Sequence, residues 1–142
     1  GQAIRFKESQ VRPMGRAAGG VIGIRVKDKD LVSSMNIVFK ENKNGRLLVI
    51  MDRGYGKQTA LTQYKLQKRG GQGVKTAKIT AKTGALVSAH LVEQEEDLFV
   101  LSAKGQIIRT HISSIRTAGR ATQGVKIMNM NPGDNIIGSI CI

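Results

Sequence analysis

Two cations and three glycines lie close together in the segment 67–73, which reads QKRGGQG. Glycine permits positive φ and lets backbone amides approach an anion closely, while Lys68 and Arg69 supply positive charge. Residues of these types in this order can bind a phosphate oxygen. The same glycines can also form a tight connection between two strands without any ligand, and the two roles are compatible. The segment is therefore both a candidate anion site and a candidate strand connection.

The segment is part of an internal repeat. Three stretches align without a gap, beginning at Gly1, Gly54 and Gly105 and ending at the valines 20 residues later. The spacing of the aligned glycines is 53 and 51 residues, which is typical of repeats that each form one small structural unit. Positions are counted below from the aligned glycine, so that +11 is the eleventh residue after it. The chain divides into unit 1 (residues 1–44), unit 2 (residues 45–94) and unit 3 (residues 95–142).

Two positions of the repeat carry a cation in all three units, namely +11 and +15. Ordinary solvent-facing charges need no such register between copies, so the pattern favours a shared anionic partner over simple solubilisation. Lys68, which precedes Arg69, and Lys75, which follows the box of glycines, join the same candidate set in unit 2. The predicted DNA-binding residues are Arg12, Arg16, Lys65, Lys68, Arg69, Lys75, Arg116 and Arg120. We predict that the recurring cations project together from one convex border.

Strands, not helices, are predicted to hold these cations in place. Runs rich in β-formers at 46–51 and 98–102 each lead into a turn at an aligned glycine and a second alternating run, as in 106–110. Each pair predicts a hairpin. A third strand after Val74 and a fourth after Leu86, with their counterparts in the other units, complete four strands per blade. Among those counterparts of the fourth strand is the apolar stretch at 31–38.

The predicted fold is therefore all-β, a propeller-like arrangement of about three four-stranded blades. Unit 1 begins at its hairpin glycine and has no counterpart of the run at 46–51. We expect its blade to be incomplete, the chain to be part of a longer one, and the three units to form a partial disc. Open blade edges predict self-association.

Charge and composition narrow the partner. The 142 residues carry 23 Lys and Arg against 10 Asp and Glu, a formal net charge of +13. A nucleic acid is the leading partner, and an acidic membrane surface is the second. Unit 2 has nine cations and two acidic residues, so it is the predicted centre of the footprint. With no apolar run long enough for a membrane span or a signal peptide, the expected location is the cytoplasm.

No pattern in the sequence predicts catalysis, a metal site or a cofactor. Cys141 is the single cysteine, and His90 and His111 lie at unrelated repeat positions without metal-ligand spacing. The acidic run at 93–97 is not accompanied by other residues that would complete a catalytic site. The sequence also contains no phosphate-binding loop and no nucleophile motif. A non-catalytic binding domain is therefore expected, with no cofactor.

The repeats resemble a known family. VRPMGRAAGGVIGI, YKLQKRGGQGVKT and IRTAGRATQGVKIM are similar to successive blades of the C-terminal domain of the DNA gyrase A subunit, and the likeness covers essentially the whole chain. The segment 67–73 resembles the signature heptad of that domain, the gyrase A box, with Gln72 where a third cation is expected. It is called the box-like segment below and comprises Gln67, Lys68, Arg69, Gly70, Gly71, Gln72 and Gly73.

The family places its full box in the first blade, whereas the near-copy here lies in unit 2. We interpret the copy as a degenerate repeat, with the true box upstream. The related subunit of topoisomerase IV has a similar, more degenerate domain. That subunit is therefore the alternative parent protein of this chain.

The resemblance implies a β-pinwheel, a disc of about six blades that exchange strands with their neighbours and wrap double-stranded DNA around a basic outer rim. In the parent topoisomerase, wrapping supports ATP-dependent negative supercoiling, and the partners are the gyrase B subunit together with the rest of the gyrase A subunit. The expected location is then a bacterial cytoplasm, at the nucleoid. The family's catalytic tyrosine belongs to another part of the enzyme, so neither Tyr55 nor Tyr64 takes that role, and Tyr64 is expected to pack in the core. The competing hypothesis is a propeller that binds an acidic protein partner.

Overall fold

The computed structural model describes residues 1–27, 29–42 and 44–142, and these contain nine short strands and three one-turn 3-10 helices. The 3-10 helices occupy positions +7 to +9 of the three units, at Glu8–Gln10, Leu61–Gln63 and Ile112–Ser114. The strands are β1 (Gln2–Ala3), β2 (Arg46–Met51), β3 (Tyr55–Ala60), β4 (Val74–Lys75), β5 (Leu86–Val92), β6 (Asp97–Ser102), β7 (Ile107–His111), β8 (Val125–Lys126) and β9 (Ile136–Cys141).

The two predicted hairpins are present. β2 pairs antiparallel with β3 around Gly54, and β6 pairs antiparallel with β7 around Gly105. The run predicted at 46–51 forms β2 with the same bounds, and β6 begins one residue earlier than predicted, at Asp97. β2 also pairs with β5, so it is an interior strand, and its last four residues are buried on both faces. Such strands read as continuous apolar runs.

Strands are exchanged between units. The three sheets have the strand orders β1–β4, β5–β2–β3–β8 and β7–β6–β9. β4 belongs to unit 2 but pairs with β1 of unit 1, and β8 belongs to unit 3 but pairs with β3 of unit 2. The structure is thus all-β and propeller-like, as predicted. The third strand of a unit completes the sheet of the preceding unit, so the first two sheets each draw on two units, while β7–β6–β9 contains strands of unit 3 alone. We call the contact between two consecutive units a seam.

Residues 31–38 form no strand, contrary to the prediction from their apolar pattern. Their counterparts β5 and β9 each pair with the strand that precedes the hairpin glycine of the same unit, and the described residues of unit 1 include no such strand. The side chains of Ser34 and Asn36 instead bond to the backbone of β5 at Ala89 and Leu91. Several apolar side chains of this segment remain exposed, Met35 and Leu31 most of all.

An aliphatic core joins units 2 and 3, in line with the low aromatic content. Its buried members are Leu48, Ile50, Val92, Leu98, Val100, Ile112, Ile115, Met128 and Ile136. Each such side chain contributes about 1.5–3 kcal/mol when it is fully buried. A second cluster of Val49, Met51, Tyr55 and Ala77 lies on the other side of β2. No helix among the described residues is long and apolar enough to cross a membrane.

Candidate nucleic-acid interface

The cations at +11 follow directly after a buried anchor in two of the three units. Tyr64 and Ile115, at position +10, are 4% and 3% exposed and close the 3-10 helix turn. Successive side chains of extended backbone point to opposite sides, so an inward residue at +10 directs its successor outward. Lys65 and Arg116 are accordingly exposed. In unit 1 the exposed Arg12 follows Val11, which is itself 39% exposed.

No described residue forms an ion pair with these exposed cations. Among the described residues, the only Lys or Arg within ion-pair distance of a carboxylate is Arg109, which binds Asp97. Nor do the side chains of Arg12, Lys65 and Arg116 hydrogen bond to any described residue, and we call these three the exposed cations. Their charge is therefore available to an external polyanion. Of the other predicted residues, Arg16, Lys68 and Lys75 are also exposed.

The arginines at +15 are engaged differently in units 2 and 3. Arg69 is half-buried, and its guanidinium donates to the carbonyl oxygens of Gln10 (3.0 Å) and Ile22 (2.5 Å), both in unit 1. Arg120 is also half-buried and donates to the carbonyl oxygen of Lys75 in unit 2, at 3.0 Å. Ile22 and Lys75 both stand at position +21, so the two bonds are equivalent. We call Arg69 and Arg120 the seam arginines.

A glutamine at +9 completes each of these contacts. The backbone N–H of Arg69 donates to Oε1 of Gln10 at 2.8 Å, and that of Arg120 donates to Oε1 of Gln63 at 3.3 Å. The recurrence of glutamine at +9 was visible in units 1 and 2 but was not used in the sequence analysis. Unit 3, whose seam face is not covered by a further described unit, has Ser114 there instead.

The box-like segment docks onto unit 1. Besides Arg69, the backbone N–H groups of Gln67 and Gly70 donate to the carbonyl oxygens of Arg5 and Gly23, both at 2.8 Å. Amides used in this way are not free to bind an anion, which favours the strand-connection role of this segment at those residues. Lys68 and Gln72 are its exposed side chains.

Glycine at +19 is required by the seam itself. Gly73 has φ +77° and Gly124 has φ +80°, a region that other residues rarely adopt. A Cβ on Gly73 would collide with the carbonyl oxygen of Ala3, and one on Gly124 with that of Gly56. Both glycines therefore let the third strand of one unit approach the hairpin of the preceding one.

Lys57 is a buried cation that the sequence analysis missed. It lies on β3 at 0% exposure, and its Nζ donates to the carbonyl oxygens of Gly119 and Arg120, both at 2.5 Å, and to Oγ1 of Thr122 at 3.1 Å. Burial, and secondly the charge of Arg120, lower the pKa of Lys57 to about 8. It fixes the loop that carries Arg120. Position +3 holds isoleucine in the other units, so the repeat gave no signal for it.

The two tyrosines are structural, as predicted for Tyr64. Its hydroxyl shares a 2.5 Å hydrogen bond with Thr76, and burial raises its pKa. Tyr55 is 9% exposed and packs in the second cluster. The two histidines lie in separate contacts, His90 against Ser139 and His111 against Asp97.

The chain is similar to one family along almost its whole length. A family model described as DNA gyrase C-terminal domain, beta-propeller, matches residues 1–38, 46–93 and 96–142. Among curated relatives, the DNA gyrase A subunit of Staphylococcus epidermidis is 43% identical over 130 residues, which cover 92% of this chain and 14% of the relative. The DNA gyrase A subunit of Deinococcus deserti is 42% identical over 144 residues, which cover 100% of this chain and 18% of the relative. The chain spans less than a fifth of these relatives.

Solved structures show the same fold. A DNA gyrase A C-terminal domain superposes with a TM-score of 0.85 at 26% identity, covering 99% of this chain and 47% of that one. A C-terminal domain of DNA topoisomerase IV superposes with a TM-score of 0.91 at 22% identity, and the match covers 100% of this chain and 44% of that one. At that identity the second likeness shows the fold alone.

Proposed function

The chain belongs to the DNA gyrase C-terminal domain family, and from this premise we propose that it binds double-stranded DNA without reading base sequence and curves the duplex along its units. One observation carries the proposal: the exposed cations recur at one repeat position in all three units and have no described partner. Equivalent seams place equivalent residues of successive units in a regular series. Regularly spaced cations suit the regularly spaced phosphates of a duplex.

The residue types favour phosphate contact over base reading. Position +11 is filled by Arg in units 1 and 3 and by Lys in unit 2. Arg and Lys are not equivalent in a bidentate contact with guanine, whereas either one neutralises a phosphate. A contact that tolerates both is therefore a point-charge contact, which gives affinity without sequence specificity.

Curving DNA costs free energy that these contacts must offset. Bending a few tens of base pairs costs on the order of 1–6 kcal/mol. Each neutralised phosphate releases counterions, so binding weakens steeply as salt is added. Arg16, which is exposed at +15, and the exposed Lys68 and Lys75 extend the proposed contact set. The outward-facing parts of Arg69 and Arg120 complete it.

In a complete gyrase, we infer that this domain holds a DNA segment for the gyrase B subunit together with the rest of the gyrase A subunit, and that curved DNA supports ATP-dependent negative supercoiling. The family model and the curated relatives, which are gyrase A subunits, support this context. A cellular location at the bacterial nucleoid follows from the same proposal. The chemistry itself belongs to other parts of that enzyme.

The test compares two triple variants with the same net charge. The first, Arg12→Glu, Lys65→Glu and Arg116→Glu, reverses the exposed cations. The second reverses three exposed lysines, one per unit, at positions that do not carry a cation in all three units: Lys7, Lys78 and Lys104. We expect the first to lower affinity for a duplex of random sequence by about 100-fold or more and the second by less than about 10-fold.

Both variants should keep the circular dichroism spectrum and melting temperature of the parent chain, because none of the substituted side chains is buried. Equal losses of affinity in the two variants would show that only net charge matters and would overturn the proposal. Full binding by the first variant would do the same. Binding that persists at high salt and is displaced by an acidic protein would favour a protein-binding propeller.

A further inference from the structure

Lys57 lies directly beneath the loop of unit 3 that carries Arg120. This loop comprises residues 117–123 and leads into β8, and none of its residues, all of which the structure describes, is buried. Lys57 itself is 0% exposed, yet its Nζ donates to the carbonyl oxygens of Gly119 and Arg120 and to Oγ1 of Thr122. The ammonium therefore lies one layer of backbone below a surface that is proposed to contact DNA.

The two seams hold their loops in different ways. At the seam of units 1 and 2, the backbone N–H of Gly70 at +16 donates to the carbonyl oxygen of Gly23, and the guanidinium of Arg69 donates to two carbonyl oxygens. At the seam of units 2 and 3, the described residues form no bond equivalent to the first, and Arg120 donates to one carbonyl oxygen. Lys57 makes three hydrogen bonds to the loop there. It supplies contacts that the box-like segment obtains from its own backbone and arginine.

The residue types at positions +3 and +17 change together between the two seams. In the first seam they are Ile4 and Gly71, and a Cβ placed on Gly71 would lie 3.6 Å from Cδ1 of Ile4. In the second seam they are Lys57 and Thr122, whose Nζ and Oγ1 atoms are 3.1 Å apart. An apolar side chain at +3 thus meets a glycine, whereas a cationic one meets a hydroxyl group. This exchange indicates a specific contact between Lys57 and the loop of unit 3.

The ammonium of Lys57 lies among elements that contain no carboxylate. β3 runs between β2 and β8, with Lys57 opposite Val49 and against Gly124. Neither β2, β3 nor the segment 116–126 contains Asp or Glu. The other titratable side chains on these elements are Arg46, Tyr55, Arg116, Arg120 and Lys126. Neutral acceptors stabilise the ammonium without cancelling its charge. A phosphate bound on the exposed side of the loop would supply the compensating negative charge.

The hydrogen bonds of Lys57 depend on its protonation. The ammonium has three N–H groups and makes three bonds, whereas the neutral amine has only two N–H groups. Burial, and secondly the charge of Arg120, lower the pKa of Lys57 to about 8, so the ammonium predominates at pH 7 and is lost as the pH rises above about 8. An anion beside the loop favours the charged form. Protonation of Lys57 and binding of a polyanion therefore support each other.

We propose that Lys57 is a positioning residue for DNA binding, whose ammonium holds the loop of unit 3 against β3 so that Arg116 and Arg120 face the duplex. Lys57 does not touch DNA, because its side chain is buried. The bound phosphates in turn stabilise the ammonium, so DNA binding takes up a proton wherever Lys57 is partly deprotonated. This inference rests on the proposed function, and it adds a buried residue to a surface otherwise formed by exposed and half-buried cations.

The experiment measures duplex affinity as a function of pH in three proteins: the parent chain, Lys57→Met and Thr59→Val. Methionine is similar in length to lysine but has neither its charge nor its hydrogen bonds. Thr59 is the matched control, because it also lies on β3 and its Oγ1 donates to the carbonyl oxygen of Ala118 in the same loop, at 3.0 Å. Both variants remove contacts between β3 and this loop, and only Lys57→Met removes a charge. All other titratable groups are shared, so a difference in pH dependence reports on Lys57.

At pH 7 we expect Lys57→Met to bind a duplex of random sequence about 5-fold or more weakly than the parent chain, and Thr59→Val to stay within about 2-fold of it. Between pH 7 and pH 9, the affinities of the parent chain and of Thr59→Val should fall about 3-fold more than that of Lys57→Met, because only these two proteins lose the charge of Lys57 in this range. Melting temperatures at both pH values show that each protein is folded in the assay.

Each outcome decides the inference. Equal affinities of the parent chain and Lys57→Met at pH 7 would overturn it, and so would parallel pH profiles of these two proteins. An equal loss in Thr59→Val would show that any weakened contact with the loop suffices, which would overturn the role of the ammonium. A calorimetric titration of the parent chain with duplex at pH 8, in two buffers of different ionisation enthalpy, needs no variant, and the absence of proton uptake would also overturn the inference. A parent chain that binds no duplex would instead contradict the proposed function.

Discussion

The cations at +11 and those at +15 look alike in the sequence, yet the structure separates them. Lys65 and Arg116 project into solvent without a described partner, whereas Arg69 and Arg120 are half-buried and donate to the preceding unit. Charge can therefore recur in a repeat for two reasons. A cation at +11 can bind an external polyanion, whereas an arginine at +15 also donates hydrogen bonds across the seam.

This difference explains why the box-like segment lies where it does. Its backbone and the side chain of Arg69 join unit 2 to unit 1, and Lys68 is the cation that it leaves exposed. A segment of glycines and cations before a strand is needed because the strand that follows is donated to a neighbouring sheet. The proposed DNA contacts are made by the charges that form no hydrogen bond across the seam.

The largest stability effect is expected at Gly73. In Gly73→Ala, an alanine must hold a positive φ and its Cβ must displace the Ala3 carbonyl, so we expect a loss of about 3 kcal/mol or more in the free energy of unfolding. Gly71→Ala is the matched control, because a Cβ there lies 3.6 Å from its nearest neighbours, at ordinary contact distance. Urea unfolding measures both, and equal stabilities would show that the seam does not depend on close approach at +19.

Adjacent cations in the box-like segment provide the next test. Arg69→Ala loses two hydrogen bonds across the seam and should lower the free energy of unfolding by about 1–3 kcal/mol. Lys68→Ala removes an exposed cation and should stay within about 0.5 kcal/mol of the parent chain while weakening DNA binding a few-fold. If Lys68→Ala proved the more destabilising of the two, the division between seam and exposed positions would be wrong.

The stability contribution of Lys57 depends on pH. Its pKa is about 8 in the folded chain against an ordinary value of 10.5, so between these values the unfolded chain holds more protons at this site and stability rises with pH. The cost is fully present below about pH 8 and disappears above about pH 10.5. We expect the parent chain to gain about 3 kcal/mol in the free energy of unfolding relative to Lys57→Met across this window, because each pKa unit corresponds to about 1.36 kcal/mol. Parallel stability curves for the two proteins would contradict the assignment.

The repeat made much of the fold predictable. The all-β class was predicted from the repeat period, the hairpin glycines and the apolar runs. The bounds of β2 were predicted as well, because an interior strand that is buried on both faces has a continuous apolar sequence. The strand predicted at 31–38 was wrong, since an apolar pattern does not reveal whether a partner strand exists in the same unit. Strand exchange between neighbouring units followed from the family resemblance and not from periodicity, and the structure alone identifies the third strand as the one exchanged.

The division of roles within the site was less predictable. A cation at +15 has the same type whether it bonds to a carbonyl oxygen or faces solvent, so sequence register alone cannot distinguish Arg69 from Lys65. The glutamines at +9 were a usable signal, because they recur only in the two units that have a following unit. No comparable signal marked Lys57, because its acceptors are backbone carbonyls 62 and 63 residues further along the chain.

The salt dependence of duplex binding tests the central claim most directly. We expect the variant Arg12→Gln, Lys65→Gln and Arg116→Gln to reduce the magnitude of the slope of log affinity against log salt by about 2.7, at roughly 0.9 per phosphate contact. A slope equal to that of the parent chain would contradict the assignment of these three cations to the DNA backbone.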